Sequence, residues 1–387
     1  MMLGGAALAA VFLIGTAAPS PAIIGPGYQP QDKDERGLWL EVDEAERQIK
    51  TSNFVMRDPG LNTYVRRVFC RTVGEAECSN VRIYLIRTPQ FNAQMAPNGM
   101  MLINSGLFLR TRDEAQFAAV LGHEYGHYAR RHSLRSFRDL KSKTGALAFL
   151  SVVPVANYAT AAVASAAQLT LIGSIFSFSR DMEREADAGS IPLLQRAGYD
   201  PAAASRIWDQ ILRESDATAA ARKRRTSDAR RGGGFYDSHP TSQERLDTLR
   251  QLSVGLTGTL ERESYRRALA PYWSDLIDDQ IKLNDFGATE FLITNAASEG
   301  WNAELYFARA ELYRARGKPA DLSQAIGFYQ QAIALGDAPA GVWRGLGLAQ
   351  LRSGDKASGQ ASLKHYLDAR PDAPDRAIIF ALAGGSR

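Results

Sequence analysis

The sequence predicts a mainly α-helical protein in two parts: a helical domain that contains a small β-sheet, and then an array of helical hairpins. Apolar residues recur at helical spacing on either side of one strand-like region at residues 81–104. In the C-terminal part a residue pattern returns at a constant offset of 37. A chain of 387 residues, with 45% hydrophobic and 23% charged residues, is long enough for two folded domains.

Charge argues against a nucleic-acid-binding protein. The net charge is +4, and no basic stretch is interleaved with aromatic residues as in single-strand binders. One basic run covers residues 222–231 and is followed by three glycines at 232–234. It is predicted to be a solvated loop, and the alternative is a contact to anionic lipid head groups at a membrane surface.

Residues 1–22 are expected to form a secretory signal peptide. Ala6–Ala18 carries no charge, and Ser20-Pro21-Ala22 offers the small residues of a cleavage site. No Lys or Arg precedes the apolar core, which is atypical of a signal peptide. Two alternatives therefore stay open: an uncleaved anchor and a short buried helix.

The chain has two cysteines, Cys70 and Cys78. In an exported protein such a closely spaced pair predicts one disulfide that closes a short loop. In a reducing compartment the two residues would instead be buried thiols. Their spacing and the lack of a nearby His argue against a metal site.

Helices and strands are predicted in the following order before the first motif. One helix covers Trp39–Ile49, and a second runs from Leu61 to the first cysteine. A strand at Val81–Ile86 is followed by a hairpin that turns at Asn98-Gly99. An exposed edge of this sheet is expected to accept an extended peptide as an added strand. The alternative is a hairpin that only packs against the next helix.

That next helix carries the pattern H-E-x-x-H at His123, Glu124 and His127. Residues four apart lie on one face of a helix, so both imidazoles can reach one metal ion. Glu124 lies about 100° around the helix and can act as general base on a water at that ion. Thr111 and Glu114 are predicted to form the capping box that starts the helix.

Glu183 is the best candidate for a third metal ligand, because catalytic zinc sites with three protein ligands need one more donor. Asp187, one turn later, could accept the N–H of a ligating His and fix its tautomer. The alternative for Glu183 is an exposed carboxylate between Arg180 and Arg184. One Zn²⁺ per chain is expected.

Three further histidines complete the set of five. His132 is predicted to be a surface residue, because five residues beyond His127 is about 140° around a helix. His365 is predicted to pack within a repeat helix. His239 precedes a helix that is predicted to start near Thr241, and it is the imidazole that remains to approach the metal. There it could stabilise an oxyanion.

Residues 144–179 contain no Asp, Glu, Lys or Arg. Neither apolar half reaches the roughly 20 residues that a membrane-spanning helix needs. The segment is therefore predicted to be a buried or membrane-leaning helical hairpin over the metal site, in preference to a transmembrane pair.

The repeated pattern in the C-terminal part is typical of tetratricopeptide repeats. Aromatic and small residues correspond at the offset of 37, with Tyr306, Ala310, Tyr313 and Gly317 matching Trp343, Gly347, Gln350 and Gly354. Because two copies are few for a solenoid, a degenerate third copy near residues 285–298, or packing against the preceding domain, is expected.

Three motifs together resemble the HtpX/CAAX-protease family of zinc metallopeptidases. They are H-E-x-x-H at 123–127, S-R-x-x-E-x-x-A-D at 179–187 and H-P-x-x-x-x-R at 239–245. The resemblance implies a zincin-like metalloprotease domain at residues 30–255, followed by a tetratricopeptide-repeat domain at residues 256–387. It also implies that His239 approaches the metal as an inhibitory fourth ligand or a switch.

Exported relatives with such repeats imply a periplasmic zinc endopeptidase. Its expected substrates are misfolded or misassembled outer-membrane proteins, whose assembly it would also assist, with recruitment through the repeats. Two alternatives stay open: a chaperone or assembly factor that works through the repeats without proteolysis, and a protease anchored in the inner membrane.

Overall fold

The computed structural model of the chain describes residues 24–25, 27–144, 178–225 and 243–385. The predicted signal peptide at residues 1–22, nearly all of the uncharged segment and His239 lie outside these ranges. Of the basic run, residues 222–225 are described and exposed. The described residues form seventeen α-helices, two short 3₁₀ helices and one three-stranded sheet.

Three helices precede the sheet: α1 (Lys33–Thr51), α2 (Pro59–Val73) and α3 (Glu75–Cys78). Asp58 caps α2 by accepting a hydrogen bond from the backbone N–H of Leu61, and Pro59 occupies the first turn, where its missing N–H costs nothing. Cys70 of α2 and Cys78 of α3 form a disulfide, which confirms the predicted pairing.

The sheet consists of β1 (Arg82–Ile86), β2 (Ala93–Met95) and β3 (Met100–Asn104) in the order β1-β3-β2. β1 is parallel to β3, and β2 is antiparallel to it. The turn between β2 and β3 is at Asn98-Gly99, where the Asn98 carboxamide oxygen accepts from the backbone N–H of Met100 and Gly99 has a φ of 86°. The predicted hairpin is confirmed.

The edge of the sheet formed by β2 is not exposed, contrary to the expectation for an added peptide strand there. The three residues of β2 are only 1 to 8% exposed, and the strand lies against the helix that carries the H-E-x-x-H motif. On the other edge, the backbone N–H of Met56 donates to Leu85 of β1, and that of Arg87 donates to Phe54. The alternative, a hairpin that packs against the next helix, is the arrangement observed.

α4 (Gly106–Arg110), α5 (Glu114–Ala129) and α6 (His132–Thr144) follow the sheet. The predicted capping box at Thr111 is wrong, because Asp113 is the N-cap of α5 and its carboxylate accepts from the backbone N–H of Gln116 at 2.8 Å. The Thr111 hydroxyl donates to Leu107 instead. Glu114 is fully buried and binds side chains of α2, so it does not reach back to the cap.

α7 (Arg180–Arg196), α8 (Ala203–Ala221) and α9 (Gln243–Leu252) complete the surroundings of α5. Ser179 caps α7 by accepting from the backbone N–H of Met182, and Gly198, with a φ of 76°, follows its C-terminus. All sixteen residues of α5 are buried, with α2, α7, α8 and β2 packed around it. α5 is therefore the central element of the domain.

The C-terminal part consists of helices only, and the short connections make neighbours antiparallel. The helices are α10 (Arg262–Leu269), α11 (Trp273–Lys282), α12 (Phe286–Ala296), α13 (Ala303–Arg316), α14 (Pro319–Ala334), α15 (Gly341–Arg352), α16 (Lys356–Ala369) and α17 (Arg376–Leu382). The pairs α13–α14 and α15–α16 are hairpins at the places that the offset of 37 predicts. Their assignment to the tetratricopeptide family stays a prediction. His365 of α16 stacks on Trp343 of α15, as expected.

A buried polar cluster joins the C-terminal helices to the first domain. The Arg110 guanidinium of α4 donates to the Glu214 carboxylate of α8 at 2.9 Å and to the Gln280 side chain of α11 at 3.1 Å. All three residues are at most 8% exposed. The two parts of the chain therefore pack directly on each other. Within the described ranges, none of the helices is both long and apolar enough to span a bilayer.

Candidate functional site

His123 and His127 of α5 and Glu183 of α7 bring three potential metal ligands together. The two Nε2 atoms are 3.1 Å apart. The Glu183 carboxylate oxygens lie 3.5 Å from each of these nitrogens. All three residues are at most 2% exposed. The predicted ligand set thus converges on one point between two packed helices.

These separations suit one small tetrahedral cation. Zinc–nitrogen and zinc–oxygen bonds of about 2.0–2.2 Å at tetrahedral angles place the ligand atoms roughly 3.3 Å apart. The three donor atoms found here all lie within 4.8 Å of one another, and their contacts are close to that separation. Two imidazoles and one carboxylate are also a donor set that zinc accepts in catalytic sites. The residues therefore fit the metal that the sequence predicts.

Asp187 is positioned to orient His123. Its carboxylate lies 3.0 Å from His123 Nδ1, on the side of the ring opposite the ligand atom. Burial lowers the pKa of His123, but the hydrogen bonds from Asp187 and Glu183 outweigh that effect and raise it to about 9. The acceptor fixes the tautomer that leaves Nε2 available to a metal.

Arg245 of α9 holds both carboxylates and was not among the predicted site residues. Its guanidinium forms two hydrogen bonds with Asp187, at 2.7 and 2.9 Å, and lies 2.6 Å from Glu183. Burial raises the pKa of Asp187, yet the charge and hydrogen bonds of Arg245 bring it below the ordinary value. The signal in the sequence was the final residue of H-P-x-x-x-x-R, which is Arg245.

The prediction that His132 is a surface residue is wrong. His132 is fully buried, and its Nδ1 lies 2.9 Å from Nδ1 of His127. The error came from extending α5 through this residue. α5 ends at Ala129, Arg131 has a φ of 57°, and α6 begins at His132, so the chain direction changes before the ring. Burial, together with the nearby positive charge of Arg135, lowers the pKa of His132 to about 4.

α5 and α7 approach each other closely at Gly126. A Cβ at this position would lie 3.2 Å from Cα of Ala186, which is itself fully buried. Gly within a helix costs about 1 kcal/mol relative to Ala. The close approach of the two helices offsets this cost. Ala186 lies between Glu183 and Asp187 in the sequence, so its position also determines where these two acids lie. Contact at Gly126 therefore places both acids near the histidines.

Aromatic rings enclose the site. Phe178 stacks on the His127 ring with centroids 4.0 Å apart, and Trp208 of α8 meets His123 edge to face at 5.6 Å. Glu124 follows the first ligand on α5 and is 1% exposed. The carboxylate that could act as base is thus buried beside the ligands. His239, the remaining candidate, lies outside the described residues.

Comparisons with known proteins place these motifs in a family. The family model described as Peptidase family M48 matches residues 59–253, which include the H-E-x-x-H helix, Glu183 and Arg245. Similar proteins include the Beta-barrel assembly-enhancing protease of Yersinia pestis, 28% identical over 212 residues that cover 51% of this chain and 44% of the relative. The Putative beta-barrel assembly-enhancing protease of Vibrio cholerae serotype O1 is 30% identical over 175 residues, which cover 43% and 36%.

A third similar protein is the Mitochondrial metalloendopeptidase OMA1 of Schizosaccharomyces pombe. It is 29% identical over 189 residues, which cover 47% of this chain and 50% of the relative. The chain spans at most about half the length of these three relatives. The family match contains the converging His, His and Glu side chains. The chain therefore belongs to Peptidase family M48.

Proposed function

We propose that the chain is a zinc endopeptidase in which His123, His127 and Glu183 hold one Zn²⁺ and Glu124 is the catalytic base. The observation that carries the proposal is the convergence of the three ligand atoms next to Glu124. In this proposal residues 30–255 are the zinc metalloprotease domain, residues 256–387 the tetratricopeptide-repeat domain and residues 1–22 the signal peptide.

When bound, zinc supplies the Lewis acidity that activates a water molecule and polarises the scissile carbonyl. Glu124 accepts the proton of the attacking water and passes it to the nitrogen of the leaving amine. Asp187 keeps the proton of His123 on Nδ1, and Arg245 holds both acidic side chains in place. The aromatic rings around the two histidines exclude bulk water from the site.

Entry of a polypeptide requires movement of the elements around the site. The three ligands and Glu124 are each at most 2% exposed, so an extended substrate cannot contact them in the arrangement of the described residues. A protease that is closed at rest suits a compartment in which folded proteins must be spared. His239 is proposed to take part in this control as a fourth ligand, or to stabilise the oxyanion once the site has opened.

The proposed setting is the periplasm, and the proposed substrates are misassembled outer-membrane proteins. Three observations support this setting: the names of the Yersinia and Vibrio relatives, the disulfide between Cys70 and Cys78, and the uncharged apolar run near the N-terminus. The C-terminal hairpins are proposed to recruit these substrates or their assembly machinery. Residues 144–179 and 222–231 are proposed to contact the membrane surface.

The substitution Glu124→Gln tests the function. It removes the base but keeps the shape of the side chain, so cleavage of an unfolded protein substrate should fall by about 10²–10⁴-fold. Zinc content, measured by atomic absorption, should stay at one per chain. Undiminished proteolysis by this variant would overturn the assignment.

The same variant separates proteolysis from a chaperone role. In cells that lack the wild-type protein, a pure assembly factor would be fully replaced by the Glu124→Gln form, whereas a protease would not. Proteins that stay bound to the inactive variant, identified by mass spectrometry after mild cross-linking, would name the substrates. Release of the protein from membranes by carbonate washing would exclude the anchored alternative.

A further inference from the structure

His132 and Glu185 form a hydrogen-bonded chain behind one of the proposed zinc ligands. His132 is the first residue of α6 and is fully buried. Its Nδ1 lies 2.9 Å from Nδ1 of His127, and its Nε2 lies 3.0 Å from the Glu185 carboxylate. The Arg135 guanidinium binds the same carboxylate at 2.7 Å. The contacts thus run from the ligand through one imidazole to an ion pair at the surface.

The ligand atom of His127 determines where the protons lie in this series of hydrogen bonds. Nε2 of His127 faces Glu183 and His123, so in the proposed zinc site Nε2 gives its lone pair to the metal. Nδ1 of a neutral ring then carries the proton and must donate it. Because two Nδ1 atoms meet, His132 can only accept, and its own proton lies on Nε2 and is donated to Glu185.

We propose that His132 is a positioning residue: it accepts the Nδ1–H of His127 and holds that ring with Nε2 directed at the metal. The inference rests on the proposed zinc function. Phe178 supports the same ring from its face, so one contact fixes the ring edge and the other its plane. Glu185 fixes the tautomer of His132 in turn.

The two histidine ligands are supported differently. A carboxylate, Asp187, accepts directly from His123, whereas a neutral imidazole accepts from His127 and the carboxylate is one ring farther away. A carboxylate acceptor raises the basicity of a ligating imidazole more than a neutral acceptor does. The orientation of His127 therefore depends on a residue of α6, whereas that of His123 depends on a carboxylate of α7.

Zinc affinity of two variants at position 132 tests the proposal. His132→Leu removes the acceptor, and we expect about 10- to 100-fold weaker zinc binding in a chelator competition assay. His132→Asn places an amide oxygen near the site of Nδ1, so it should restore zinc affinity to within a few-fold of wild type. In the cobalt-substituted protein, the visible absorption spectrum should change for Leu and stay close to wild type for Asn.

Equal losses of zinc affinity in the two variants would overturn the proposal, because they would indicate a packing role alone. Wild-type affinity and spectrum in His132→Leu would overturn it as well. If His132→Leu does not fold, Glu185→Ala provides a second route, since Glu185 is about 39% exposed on its side chain. Without that acceptor the tautomer of His132 is no longer fixed, and zinc binding should weaken by several-fold.

The protons can also be located directly. In zinc-loaded protein labelled with ¹⁵N-histidine, the imidazole shifts should show the His132 proton on Nε2 and the His127 proton on Nδ1. A proton on Nδ1 of His132 would contradict the proposal. Normal zinc binding with no dependence on His132 would defeat this inference alone, whereas absence of zinc from the wild-type protein would defeat the proposed function.

Discussion

The helix pair α5–α7 and the helix pair α13–α14 both pack closely, but they bury different groups. Between α5 and α7 lie two histidines and two acids, whereas between α13 and α14 lie mainly small and aromatic side chains, Ala310, Ala325, Ala332 and Tyr329. The polar groups of the first pair need partners from elsewhere in the chain, such as Arg245 of α9 and His132 of α6. The core of the second pair continues into the adjacent helix α15 through Val342, Leu346 and Ala349.

The candidate site is therefore held by contacts between residues far apart in sequence, whereas the C-terminal hairpins are held by contacts between near neighbours. Buried charges are costly unless every one is paired, so removal of a single partner exposes the full desolvation cost. Local apolar packing lacks that penalty. Substitutions in the first domain should therefore cost more than substitutions of similar size in the hairpins.

The largest effect is expected for Arg245→Met. The substitution leaves Glu183 and Asp187 buried without their cation, and breaking a buried ion pair costs about 3–5 kcal/mol in the free energy of unfolding. Urea denaturation would measure the loss. Arg250→Met on the same helix is the control, since Arg250 is about half exposed and its loss should stay within about 0.5 kcal/mol. Similar losses in both variants would contradict the comparison.

A smaller effect is expected for Glu114→Gln at the start of α5. The buried carboxylate accepts hydrogen bonds from Arg67 at 2.8 Å, Tyr64 at 2.9 Å and Tyr199 at 2.6 Å. A neutral amide cannot accept all of them, so we expect a loss of about 2–3 kcal/mol by thermal or urea unfolding. Glu44→Gln on the exposed face of α1 should give no measurable change.

The third prediction concerns pH. Burial raises the pKa of Glu46, but hydrogen bonds from Arg82 and Tyr84 outweigh it and lower the pKa to about 2. A carboxyl whose pKa is lowered on folding stabilises the protein above its unfolded pKa, here near 4.5. That contribution is lost as the pH falls toward 2.

The substitution Glu46→Gln tests this pH dependence. It should destabilise the protein by about 2 kcal/mol at pH 7, because charged hydrogen bonds are lost. The difference from wild type should shrink steadily between pH 4.5 and pH 2, as measured by urea unfolding at each pH. A difference that does not vary with pH over this window would show that Glu46 acts through packing.

The smallest effect is expected in the repeats. His365 is exposed and stacks on Trp343 with centroids 4.7 Å apart. His365→Ala should cost about 0.5 kcal/mol of unfolding free energy, at the low end for aromatic pairs. Cleavage of an unstructured peptide should not change, since the ring of His365 contacts Trp343 of the neighbouring helix and no residue of the candidate site among those described. A loss comparable with that of Glu114→Gln would remove the distinction between the two regions.

The sequence predicted those features that depend on residues close together along the chain. The helical spacing of His123 and His127 and the hairpin at Asn98-Gly99 are set by residues within a few positions, so both could be predicted. The offset of 37 residues placed the C-terminal hairpins for the same reason. Glu183 could be added because a metal site with two ligands is incomplete.

The missed features depend on tertiary structure. His132 could be placed correctly only if Arg131 were known to adopt a left-handed conformation, which changes the chain direction after α5. The residue type of Arg131 does not predict that conformation. Arg245 acts on residues 58 and 62 positions away, once α9 has packed against α8. The N-cap of α5 is Asp113 and not Thr111, because the Glu114 side chain is engaged elsewhere. It accepts hydrogen bonds from α2 and from Tyr199, which follows the C-terminus of α7.

The contact between Gly126 and Ala186 has a consequence for the choice of ion. It sets the distance between the helix that carries both imidazoles and the helix that carries the carboxylate. One added methyl group at residue 126 would separate the helices by a few tenths of an ångström, which is the difference in bond length between zinc and a larger cation such as calcium. In the proposed zinc site, the close contact at Gly126 would therefore favour a small ion, because it limits the separation between the imidazoles of α5 and the carboxylate of α7.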